Sequence, residues 1–82
     1  MDPRRKRLLY VSQHRGMKET DLLLGRFAER HLERLSEDQV ERFAAILEES
    51  DNDLLDWITG KKPVPAAHDN DVMTLIRDEI DR

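Results

Sequence analysis

Apolar residues along this chain recur every three or four positions and never in strict alternation, so the pattern predicts helices and no strand. Leu24, Phe27, Ala28, Leu32 and Leu35 fall on one face of a helix over about 18–35, and Val40, Phe43, Ala44 and Leu47 repeat at i, i+3, i+4 and i+7. The start of that third helix is marked at Ser36. Ser36 and Gln39 are spaced as a capping box, with Leu35 and Val40 placed for the hydrophobic staple. "ESDNDLLDWITG" predicts a short fourth helix, capped by Ser50 or Asp51 and closed by Gly60, with Leu54, Leu55 and Ile58 inward. Val72, Met73, Ile76 and Ile80 form the stripe of a last helix from about Asp71. A first helix over about 4–13 carries Leu8, Leu9, Tyr10 and Val11.

The joints between these segments follow from residues that break helices. Gly16 stands where a C-cap glycine would, and Pro63 and Pro65 make "KKPVPAAHDN" a turn and linker. Gly25 lies inside the second helix at a cost of ~1 kcal/mol relative to alanine, which implies a close neighbour there. The expectation is an all-α fold: a small compact bundle of five helices forming one domain over 1–82, with 1–3 and 81–82 as frayed ends. Phe27, Phe43, Leu54, Trp57 and Ile58 are its expected structural residues, the single tryptophan closing a thin core.

Charge changes the picture more than composition does. The net charge is −4, yet residues 1–18 carry six basic side chains against Asp2 alone, and the rest carry eight basic against seventeen acidic. A basic head on an acidic body favours a partner with a complementary pattern over a uniformly charged polymer. "RRKR" at 4–7 could be a nucleic-acid patch, but a pI near 5.3 and one Tyr with one Trp favour a solubilising first turn. Without cysteine there is no disulfide or thiol chemistry. The apolar run at Leu8–Val11 is too short for a signal peptide, and no segment is long enough to span a membrane. A soluble, unsecreted protein is expected.

Chemistry-bearing motifs are sparse. Gly16, Gly25 and Gly60 are too far apart for a phosphate-binding loop, and His14, His31 and His68 lack metal-ligand spacing. Ser12, Ser36 and Ser50 have no nucleophile motif around them, two being better explained as caps. The chain reads as a non-enzyme that binds no metal and no cofactor of its own.

What stands out is the junction "HRGMKETD" at 14–21. Gly16 could simply end one helix while Arg15 offers its charge to that helix's last carbonyls. Alternatively the junction is a docking edge: glycine admits a partner backbone, arginine offers a planar fork, and Glu19 takes a partner's base. The charges have no evident internal role, and residue types alone leave the two readings even.

"HRGMKETDLLLGRFAE", with its Arg-Gly-x-x-Glu core, and "LEESDNDLLDWITGKKPVP" together resemble the SdhE family, also called succinate dehydrogenase assembly factor 2 or flavinator, over about 6–80. The resemblance implies a five-helix bundle and a chaperone-like factor. Such proteins bind the flavoprotein subunit of succinate dehydrogenase, and in bacteria also of fumarate reductase, and promote covalent attachment of FAD to a histidine of that subunit. FAD is then the client's ligand. By position the family motif falls on Arg15, Gly16 and Glu19, with Met17 and Lys18 between, and these five become candidate partner-binding residues. Asp53, Leu54, Asp56, Trp57 and Ile58 match the second block, with a structural role favoured. The resemblance implies a cytoplasmic protein in bacteria, with the mitochondrial matrix as the eukaryotic equivalent, and a monomer is expected when it is free. The alternatives are a small helical regulator or antitoxin-like binding module, and a membrane-surface adaptor using the basic first helix.

Overall fold

The computed structural model describes residues 1–80, so the expectation of a frayed end at 81–82 lies outside the described residues. Five α-helices and no strand occur among them: α1 (Pro3–Gln13), α2 (Lys18–His31), α3 (Glu37–Leu47), α4 (Asp51–Ile58) and α5 (Asp71–Ile80). Their starts follow local chemistry. The Ser36 hydroxyl accepts from the Gln39 amide while the Gln39 side chain accepts from the Ser36 amide, completing the capping box. Ser50, not Asp51, caps α4 by accepting from the Asp53 amide, and Asn70 accepts from the Met73 amide at the head of α5. Gly60, with φ +81°, follows the end of α4 in the left-handed region.

At the ends of the helices the structure adds one cap and corrects one expectation. At the start of α1 the Asp2 carboxylate accepts from the Arg5 amide at 2.8 Å as the N-cap, and Pro3 takes the first helical position. The second helix does not run on to Leu35. It tightens after His31 into a 3-10 turn at Leu32–Arg34, and Leu35 is extended as it leads to the Ser36 cap. The carbonyls freed there are taken by Arg5, whose Nε donates to Leu32 O at 3.0 Å and whose Nη2 donates to Leu35 O.

The core is drawn from α2 to α5 and the 3-10 turn after α2. Phe27 and Phe43 pack with ring centroids 5.4 Å apart among Leu24, Leu32, Ile46, Leu54, Val72 and Ile76, and Trp57 and Ile58 are buried at its margin. α1 lies across this core with Leu8, Leu9 and Val11 half-buried, whereas Tyr10 is exposed and stacks on His14. Gly25 is what admits α1: a Cβ there would meet Gln13 Cγ at 3.0 Å and Gln13 Cα at 3.7 Å. The linker also holds more structure than its prolines suggest. A 3-10 turn at Ala66–His68 buries the His68 ring against Trp57, with Nε2 2.8 Å from the Glu49 carboxylate.

Candidate functional site

The α1–α2 junction is built from both sides. α1 ends at Gln13, His14 closes it by donating its backbone N–H to Val11 O, and Gly16 follows two residues beyond that cap with φ +101°. Gly16 is therefore the bend of the connection and not the residue immediately after the helix. An L-residue is strained at this φ, although a Cβ there would meet nothing within 4 Å. The chain re-enters helix through Met17, which is extended and offers no side-chain cap. Asp21 supplies a substitute by accepting from the Arg15 amide at 2.6 Å, tying the first turn of α2 to the strand of chain before the bend.

Arg15 has an internal role that the sequence did not reveal. Its side chain is only 9% exposed, with Nε 2.6 Å from Asp51 Oδ1, Nη1 2.5 Å from Leu47 O and Nη2 2.6 Å from Glu49 O. The guanidinium thus caps the C-terminal end of α3, a different helix from the one the sequence suggested, and pairs with the first residue of α4. Asp51 Oδ1 also lies 2.9 Å from the Thr20 hydroxyl, itself fully buried. With Arg5 closing the end of α2, and Arg4 paired to Glu41, half of the basic head is matched within the molecule. The charge asymmetry is in that part a folding device.

The other motif residues, Met17 excepted, are exposed. Lys18 and Glu19 are exposed and their side chains make no hydrogen bond or ion pair among the described residues; Met17 is half-buried. Gly16, Lys18, Asp21 and Leu22 line an open depression of about 550 Å³. Leu22, 48% exposed, was not singled out from the sequence. A signal was available: Leu22 lies two residues, or about 200° of helical rotation, from the buried Leu24. Asp51, Thr20 and Asp21 were also missed: Asp51 lies 36 residues from Arg15 and 31 from Thr20, and the bond of Asp21 to the Arg15 amide spans a bend that no local pattern marks.

The second block is divided likewise. Leu54, Trp57 and Ile58 are buried, Asp53 is exposed, and Asp56 pairs with Lys62 at 3.4 Å. Ser12 donates to Leu8 O, and Ser36 and Ser50 are caps. Among the described residues no group of three or more His, Cys, Asp or Glu is placed to hold a metal ion, and no helix is long and apolar enough to cross a membrane.

The sequence profile of a family described as "Flavinator of succinate dehydrogenase" matches residues 6–80. Among curated proteins, "Succinate dehydrogenase assembly factor 2, mitochondrial" of Aedes aegypti is 41% identical over 78 residues, covering 93% of this chain and 48% of that protein. The protein of the same name from Dictyostelium discoideum is 41% identical over 73 residues, 89% of this chain and 52% of its own length. "Succinate dehydrogenase assembly factor 2-A, mitochondrial" of Drosophila sechellia is 37% identical over 82 residues, 98% and 50% respectively. The chain spans about half the length of these relatives.

Proposed function

Since the chain belongs to the succinate dehydrogenase flavinator family, we propose that it is an assembly factor, not an enzyme, that binds the flavoprotein subunit of succinate dehydrogenase and promotes covalent attachment of FAD to it. In a bacterial cytoplasm the flavoprotein of fumarate reductase is a second client; in a eukaryote the setting is the mitochondrial matrix. The factor is a monomer when free. FAD is the client's ligand, and this chain holds none stably.

The observation that carries this reading is the division of the motif by Arg15. With the guanidinium locked inside, Gly16, Lys18 and Glu19 remain as a firmly supported edge with no internal partners, beside a depression rimmed by an exposed leucine. A client backbone can approach at Gly16, a client cation can meet Glu19, and Leu22 offers an apolar anchor. The factor works by differential affinity: it prefers the client conformation in which flavin and acceptor histidine are aligned, and so raises that conformation's population. The client's own groups then make the bond.

The test is covalent flavin on purified apo flavoprotein subunit, read as fluorescence of the denatured band after incubation with FAD, with no factor, with wild type, and with Gly16→Arg. The expected result is stimulation by wild type and none by Gly16→Arg, which keeps its helical content. Equal flavinylation in all three arms would overturn the proposal.

A further inference from the structure

Three clusters outside the exposed edge are candidates for a further role: the buried His68 against Glu49 and Trp57, the exposed Tyr10–His14 stack on α1, and the carboxylate of Asp51. The last is carried furthest. Asp51 Oδ1 takes Arg15 Nε at 2.6 Å and the Thr20 hydroxyl at 2.9 Å, so one oxygen grips the chain on both sides of Gly16. Beyond its two chain neighbours, nothing among the described residues lies within 4 Å of a Cβ placed on Gly16. The bend is held by its flanks: the Arg15 amide donates to Asp21 Oδ1 at 2.6 Å and the Thr20 hydroxyl also lies 3.1 Å from Met17 O, while Asp51 is the group that the Arg15 and Thr20 side chains share. Glu19 and Leu22 sit on the same turns of α2 as Thr20 and move with it. α4 does not depend on Asp51 for its start, because Ser50 caps it.

We infer that Asp51 is a positioning residue for client docking, acting through Arg15 and Thr20 to hold the Gly16–Leu22 edge in its binding shape. This rests on the function proposed above. It also removes Arg15 from direct contact with the client: the arginine serves the edge from beneath.

The inference is tested by affinity for the apo flavoprotein subunit at a temperature where every variant is fully folded, together with amide exchange of the free factor. Asp51→Ala should weaken binding about tenfold, and Asp51→Asn, which keeps an acceptor oxygen without its charge, about threefold. In a double-mutant cycle, Arg15→Ala with Asp51→Ala should lose clearly less than the sum of the two single losses, because both break the same Arg15–Asp51 pair. In the free factor, Asp51→Asn should speed exchange at residues 15–20 and leave α3 and α5 unchanged. Additive losses, unchanged affinity for folded Asp51→Ala, or unchanged exchange at 15–20 would each overturn the inference. Failure of wild type to bind the client would refute the proposed function; the exchange experiment, which uses no client, still decides whether Asp51 holds the edge.

Discussion

Removing the Arg15 side chain is the perturbation for which the structure gives the clearest magnitude. Arg15→Ala deletes three charge-assisted hydrogen bonds, to Asp51, Leu47 O and Glu49 O, from a side chain only 9% exposed. Bonds to charged groups contribute roughly 1.5–3 kcal/mol each, but they do not add here. Asp51 is 23% exposed and Glu49 half-buried, so water can reach part of what the guanidinium leaves behind. A net loss of about 3 kcal/mol results, at the lower end for breaking a buried pair. In a domain of this size that lowers Tm by roughly 12–24 °C, a large part of a total stability on the order of 5–15 kcal/mol. Arg15→Lys keeps the charge but loses the fork, and should cost about half as much. Urea titration followed by far-UV circular dichroism and by the fluorescence of Trp57, the one tryptophan, measures both. A loss below about 0.5 kcal/mol for Arg15→Ala would refute the clamp and return Arg15 to the surface.

Glu19→Ala should change stability by less than about 0.5 kcal/mol in the same titration while reducing flavinylation of the client; unfolding would make Glu19 a structural residue. Gly25→Leu should destabilise by about 1–3 kcal/mol and loosen α1 from α2, read as faster amide exchange in α1, because its Cβ would already crowd Gln13 Cγ at 3.0 Å. Stability should fall as pH drops below about 4.5: the Glu79 carboxyl is held under its ordinary range by hydrogen bonds from His31 and then Arg30, so its contribution is present above that pH and lost as the group protonates. Asp71, held down by Gln39 and Arg42, contributes with the same sign, and Glu79→Gln should flatten the acid limb of a Tm-against-pH curve.

The sequence made the helices legible because their signals are local. The Ser36–Gln39 capping box, the Ser50 cap and Gly60 each act within a few residues, and the apolar stripes of α2 to α5 need only the helical period. Gly25 could be read as a close approach because its cost demanded a reason, though not that Gln13 would be the neighbour. The roles of Arg5 and Arg15 could not be read, since each closes a helix 27 or more residues away. An arginine that caps a distant helix looks, in one dimension, like one waiting for a partner. The burial of His68 was hidden for the same reason: its partners, Glu49 and Trp57, lie across a proline-rich turn that marks a loop and says nothing of where the loop packs.

The proposed docking of residues 16–22 on the flavoprotein subunit is tested most directly by hydrogen exchange of this protein with and without apo flavoprotein subunit. New protection is expected at residues 16–22, strongest at the amides around Gly16, with the outer faces of α3 and α5 unchanged. Protection on α3 or α5 with residues 16–22 exchanging as in the free protein would contradict the proposed docking.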